Sequence, residues 1–415
     1  MNPPQPKNTS TFNNTFTSLR HKEYRRYLTG FLISASGRWA QITAAGMLVY
    51  ELTESATYLG FLGFSQGFAS LVLALLSGVI ADRVSRRKMI ILTQSLMMLQ
   101  ALMLAALTFS GLIQAWHIIV LSFLRGILGA LEGPNRLSII SELVEPEDLS
   151  NAIPLQSTFA NSALVIGPLI AGFLYDMLGP GWVFMFDALT YLALIFTLKN
   201  MLTRFEITDV QRKKRKAWTD LVGGLRYAFQ DHIIRLLLIS LFLYQMFGLS
   251  VRNITPAWAS GVLQGGAKTN SWLLTGLGFG AVIGTLIIAN LSKKNMRGKL
   301  RLLGGFIYTF SFFILALLRI EGVSILMFLL IGLSSMMISN NTLGIIQTYV
   351  PDHVRGRVTG IFTMMFMGGS TLGSLLIGSI ADQAGEPLAV LLFAFVLGSL
   401  TLYILVKQHD LISLS

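Results

Sequence analysis

Arg125, Gly129, Glu132 and Arg136 fall at i, i+4, i+7 and i+11, which lines all four along one face of a helix. The chain around them is apolar, so an acid flanked by guanidinium groups sits inside a stretch that otherwise belongs in a membrane. Ionisable side chains at that depth are costly unless they face water or one another, which makes them candidates for moving ions or protons. Burial favours the neutral form of Glu132 while Arg125 and Arg136 favour the charged form, so the carboxylate can load and release a proton and the balance stays open. A second reading also stays open: Glu132 and Arg136 form a permanent ion pair that braces the bend at Pro134. Ser34, Arg38 and Gln41 repeat the one-face spacing in an earlier apolar segment, and the first stripe is their simplest partner. Tyr244, Gln245 and Arg252, with Asn340 and Asn341, are further candidates to line a cavity. Counting Arg38, Arg125, Arg136 and Arg252 against Glu132, that cavity leans positive and suits acidic or neutral amphiphiles. Met and Phe at residues 364–367 offer it an adaptable apolar wall.

The elements that must position these residues follow from composition. Of 415 residues, 53% are hydrophobic and 13% charged, against about a quarter charged in soluble domains. The apolar excess must face lipid. A net charge of +12 would suit nucleic acid, but the cations lie between apolar runs instead of forming one basic face. No cysteine occurs, so disulfides and thiol chemistry are excluded, and five scattered histidines without a ligand spacing give no metal site. No cofactor and no enzymatic activity are expected. The nearest approach to a phosphate-binding loop, residues 261–269, has Ala267 where lysine is required, which argues against an ATP-driven pump.

Runs of about 20 apolar residues lie near 27–50, 57–80, 89–110, 116–142, 151–176 and 181–199, then near 233–259, 271–291, 302–319, 323–348, 356–382 and 387–406. Twelve spans place both termini on one side. Arg20, Lys22, Arg25 and Arg26, the cations at 83–88, the cluster at 212–216, Lys293, Lys294, Arg297, Lys299, Arg301, Arg355 and Arg357 all fall on that side, and only Lys268 and Arg319 on the other. Basic connections are retained in the cytoplasm, so both termini are expected there. The expected organisation is a disordered tail (1–18), a six-span bundle (19–199), a basic linker (200–231), a second bundle (232–407) and a short tail (408–415). Leu221, Leu225 and Phe229 recur four residues apart in the linker and predict a helix lying along the inner leaflet. Gly167, Gly172 and Asp176 reappear 206 residues later as Gly373, Gly378 and Asp382, the internal repetition of a pseudo-symmetric transporter.

Between the second and third runs stands Gly78-Val-Ile-Ala-Asp82-Arg83-Val-Ser-Arg86-Arg87-Lys88. It resembles the loop between helices 2 and 3 of the major facilitator superfamily, G-x-x-x-D-[RK]-x-G-[RK]-[RK], with Ser85 in place of the second glycine. The resemblance implies a latch in which Asp82 meets the positive end of a helix in the other half while Arg83, Arg86 and Arg87 hold neighbouring acids. Leu121-x-x-x-Arg125-x-x-x-Gly129 resembles the span-4 motif of proton-coupled members. Gly167-Pro168-Leu-Ile-Ala-Gly172 is by itself a packing kink; it also resembles the superfamily's antiporter motif, with Ala163 and Ala171 replacing two glycines. Trp39-Ala-Gln41, Glu132-Gly-Pro134-Asn-Arg136, Leu149-Ser-Asn151-Ala152, Pro351-Asp352 and Arg355-Gly-Arg357-Val358 are similar to the bacterial branch containing enterobactin exporters and macrolide efflux proteins, from which Arg38 departs. That resemblance implies an all-α major facilitator fold, two six-helix bundles around a central cavity. It further implies a monomer in the bacterial inner membrane that exports a small siderophore-like molecule in exchange for protons. Broad multidrug efflux, proton-coupled import and a lipid flippase or non-transporting receptor are the alternatives.

Overall fold

The computed structural model describes residues 17–81, 85–201, 217–291 and 296–407. Among these no strand occurs. The first half comprises α1 (Lys22–Thr53), α2 (Ala56–Ala81), α3 (Arg86–Phe109), α4 (Ala115–Ile139), α5 (Leu149–Leu178) and α6 (Pro180–Lys199). A linker helix, α7 (Ala217–Gln230), leads to α8 (His232–Phe247), α9 (Ala267–Leu291), α10 (Arg297–Leu317), α11 (Glu321–Tyr349), α12 (Asp352–Ala384) and α13 (Glu386–Lys407). Ten described segments are long and apolar enough to cross a membrane, and α1 and α2 complete twelve in two six-helix bundles. The expected tails fall largely outside the described residues, as do Asp82, Arg83 and the basic cluster at 212–216.

The repeat offset extends into the turns. Gly179 (φ 89°) ends α5 and Gly385 (φ 85°) ends α12, again 206 residues apart, in a backbone region that any side chain would strain. Proline follows each at once or two residues on, starting the next helix with φ already set. Helix α7 forms where the fourfold recurrence predicts it, and one of its faces packs on α12. A Cβ on Gly224 would lie 2.9 Å from that of Arg357, and Leu225 joins the core while Phe229 stays 48% exposed.

Two seams join the bundles, α2 against α12 and α5 against α9. Both depend on small residues. A Cβ on Gly60 would come within 2.6 Å of the Ser374 carbonyl oxygen, one on Gly378 within 2.4 Å of that of Ala56, and one on Gly278 within 2.7 Å of that of Leu164. Such backbone contacts cannot yield cheaply, so Gly278→Leu is expected to cost about 1–3 kcal/mol by overpacking and to lower the thermal unfolding temperature in detergent.

Beyond the seams the two ends differ. Where α1 turns into α2, the Asp382 carboxylate at the end of α12 accepts hydrogen bonds from Ser55 Oγ (2.5 Å), the Ala56 amide (2.5 Å) and the Thr57 amide (3.0 Å). An acid of the second half thus caps the first turn of a helix in the first. The repeat-related Asp176 is exposed and makes no such cap. At the other end, a Cβ on Gly129 or Gly133 of α4, or on Gly356 or Gly360 of α12, would meet nothing within 4 Å. Among the described residues the bundles are therefore fastened at the Asp382 end and open between α4 and α12 at the end that carries Arg86, Arg87, Arg355 and Arg357.

Candidate functional site

Between the bundles lies a cavity of about 270 Å³. Its walls include Trp39, Gln66, Pro168, Arg252, Asn253, Asn270, Phe366 and Met367, so both halves contribute. Arg252 lies on the 3-10 turn (Leu249–Ile254) that breaks the helix after α8, and a π turn follows at Trp258–Val262. Irregular backbone at membrane depth is tolerated where it is buried in protein or lines a cavity. The Arg252 guanidinium stands 5.9 Å from the centre of the Trp39 ring on α1, a cation–π contact across the halves. Among the described residues no acidic side chain lines this space. Asn270 is fully buried and both of its amide atoms lack a partner.

A second cavity of about 140 Å³ opens deeper in the first bundle, walled by Arg38, Met97, Arg125, Gly126 and Gly129. Gln66 and Ser70 line both, so the two chambers adjoin along α2. Arg125 donates to Gln41 Oε1 at 2.8 Å, and Gln41 donates to Gln100 Oε1 at 3.2 Å.

Glu132 has no exposure at all. Gln94 on α3 donates to both of its oxygens at 3.0 Å, and Arg136 donates through Nε at 3.0 Å and through a terminal nitrogen. Arg136 also lies 4.8 Å over the Phe31 ring. Ser34 does not meet α4; its hydroxyl donates to Gln94 Oε1 at 2.9 Å, which orients that amide toward Glu132.

The structure pairs Glu132 with Arg136, holds Arg125 apart on Gln41 in the wall of the smaller chamber, and separates the remaining cavity candidates. Arg252 lines the larger chamber and Arg38 the smaller. Ser34 and Gln41 are enclosed within the first bundle, and Tyr244, Gln245 and Asn341 within the second. Tyr244 pairs with Thr401 at 2.9 Å, Gln245 donates to Ser339 at 3.0 Å, and Asn341 donates to the Met337 carbonyl at 2.7 Å. Half-buried Asn340 is not among the lining residues. Polar side chains in these helices bond a neighbouring turn or helix when one is within reach, and composition does not reveal which neighbour that is.

Of the latch residues, Gly78 ends up in the last turn of α2, and Arg86 and Arg87 are held within their own half. Arg86 donates to Glu142 Oε1 (3.0 Å) and the Ser138 carbonyl (3.1 Å), and Arg87 to the Lys199 carbonyl (2.7 Å). In the α5 motif, Gly167 admits the α1 backbone, with a Cβ there falling 2.7 Å from the Ser36 carbonyl oxygen, whereas Gly172 admits Ser271 of α9. Pro168 between them lines the central cavity.

Sequence reasoning missed Asp187 on α6. It is fully buried, adds a second acid to the mid-span tally, and is signalled by the same rule that singled out Glu132. Asp382 was visible only as a member of the repeat; its partners lie more than 320 residues away.

The chain is 28% identical over 369 residues to the staphyloferrin A transporter of Staphylococcus aureus, covering 86% of this chain and 90% of that one. It is 25% identical to the enterobactin exporter EntS of Escherichia coli, covering 83% of each. Similarity to the multidrug efflux pump Tap of Mycolicibacterium fortuitum is 24%, covering 85% and 88%. Among solved structures, the nucleoside transporter NupG superposes with a TM-score of 0.74 at 13% identity, covering 92% of this chain and 98% of that one. The family of transmembrane secretion effectors matches residues 13–411. With twelve helices in two fastened bundles and an intramembrane cavity between them, the chain belongs to that family of major facilitator transporters.

Proposed function

We propose that this protein exports a small amphipathic molecule, anionic or neutral, from the cytoplasm by alternating access, in exchange for protons. The observation that carries the substrate preference is the central chamber, where Arg252 is the sole charged side chain among the described lining residues and the other walls are amide, hydroxyl and apolar groups. An uncompensated guanidinium facing a low-dielectric cavity favours a carboxylate or catecholate over a cation. The similarity to siderophore transporters supports the same reading. Broad drug efflux is the second reading, favoured by the deformable Phe366 and Met367 wall.

For proton coupling we assign Glu132 as carrier, with Arg136 and Arg125 as its charge partners. Cations at the open end of the bundles support a cytoplasmic assignment for that end and for both termini, with the Asp382 seam facing outward in a bacterial inner membrane. The protein is expected to act as a monomer, since its cavity is built from one chain. The loop from Gly78 through Asp82 and Arg83 to Arg86 and Arg87 would then fasten the cytoplasmic end in the opposite state.

Everted membrane vesicles test this with enterobactin as probe. Vesicles containing the protein are expected to take it up when the interior is acidified and to lose uptake when the gradient is collapsed. Arg252→Ala is expected to weaken uptake of enterobactin at least tenfold while sparing a neutral probe. Transport of cationic dyes with no transport of anionic ligands would overturn the reading.

A further inference from the structure

Asp187 occupies a place that the preceding scheme leaves unused. It lies on the third turn of α6, fully buried, and neither carboxylate oxygen has a hydrogen-bond partner in acceptable geometry. The space for it is made by Gly37 on α1, where a Cβ would fall 2.9 Å from Asp187 Oδ1 and collide with Thr190 Oγ1. The next residue of α1 is Arg38, whose Nε and one terminal nitrogen are likewise buried without an acceptor. Arg38 and Arg125, the cations acting most directly on Asp187, both line the smaller chamber. From α6 itself the Thr190 hydroxyl and the Tyr191 hydroxyl, which is buried without a well-formed hydrogen bond, lie close enough to act on the carboxylate. Glu132 and Arg136 on α4 act on Arg38 as well, so the guanidinium stands between two acids. The described faces of α3 and α5 add no charged group to this set.

An ionised carboxylate without well-formed donors is costly in such surroundings, and a bound proton relieves that cost. Glu132 differs, with its donors already in place. We propose that Asp187 is a second proton-binding site, occupied while the Asp382 seam is closed, with Arg38 as the counter-ion that replaces the proton when the bundles rearrange. This rests on the proton-exchange reading and adds to it a distinct residue. In the step itself the O–H bond of the Asp187 carboxyl breaks, the proton passes to water in the Arg38–Arg125 chamber, and the carboxylate left behind accepts N–H bonds from Arg38. Arg38 keeps its charge throughout. The chamber's shared wall at Gln66 and Ser70 gives that water a route toward the central cavity.

Infrared difference spectroscopy of the purified full-length protein reads the site without any transport substrate. At neutral pH the wild type is expected to show the carbonyl stretch of a protonated carboxylic acid. That band should vanish in Asp187→Asn, return shifted in Asp187→Glu, and remain in Glu132→Gln. A thermal unfolding curve accompanies each variant, and because Asp187→Glu keeps an ionisable group the test does not depend on Asp187→Asn folding alone. Absence of the band in the wild type, or its survival in a folded Asp187→Asn, overturns the proposal. Loss of the band in Asp187→Asn combined with gradient-independent transport in the wild type would keep the proton site and reject antiport.

Discussion

Glu132→Gln is expected to make transport indifferent to the pH gradient and to destabilise the first bundle. Glutamine preserves shape but removes the negative charge that Arg136 and the Gln94 amide surround. Arg136, whose side chain is 16% exposed, is left with the Phe31 face but no acid beside it among the described residues. Breaking one partner of a buried pair costs about 3–5 kcal/mol, whereas replacing both by apolar groups of similar volume is often neutral. The pair Glu132→Gln and Glu132→Gln/Arg136→Met therefore separates two roles. Thermal stability should fall in the first and recover in the second, while gradient-driven enterobactin uptake stays at least tenfold below wild type in both. Wild-type pH dependence in either variant would reduce the ion pair to a brace for the bend at Pro134.

The second large effect is expected from Asp382→Ala. Its carboxylate gathers three donors from the opposite half at the start of α2. Losing an N-cap side chain costs about 0.5–2 kcal/mol, and each 1.4 kcal/mol is about a factor of ten in an equilibrium constant. Asp382 is exposed, so water screens its bonds, and loss of the cap should shift the population toward an outward-open form by about three- to tenfold. The sequence contains no cysteine, so a single Asn253→Cys label on the cavity wall reports the opening. A membrane-impermeant maleimide applied from outside is expected to react about three- to tenfold faster when Asp382→Ala is added. An unchanged rate would mean that the glycine seams alone keep that face shut.

The helical plan was legible because each span is a long apolar run and the cations between runs fall almost wholly on one side. The Arg125–Glu132–Arg136 stripe was equally visible, since helical periodicity alone puts its members on one face. What periodicity cannot supply is the neighbour. Gln94 reads as one amide in an apolar run until α3 brings it to Glu132 and Ser34 turns it. Tyr244, Gln245 and Asn341 look like cavity residues for the same reason, and find partners inside the second bundle. Asp382 carries its meaning only once α12 lies against α2, and Asp187 only once Gly37 exposes it to Arg38.

The partition formed by Gln66 and Ser70 has one more consequence. In the proposed exchange, cargo that fills the larger hollow would lean on the same strip of α2 that walls the chamber of Arg38 and Arg125. Bulky passengers would thereby throttle hydration of the inner compartment, so the number of protons exchanged per molecule should decline as passengers grow, making this short strip a size-dependent governor of energetic efficiency.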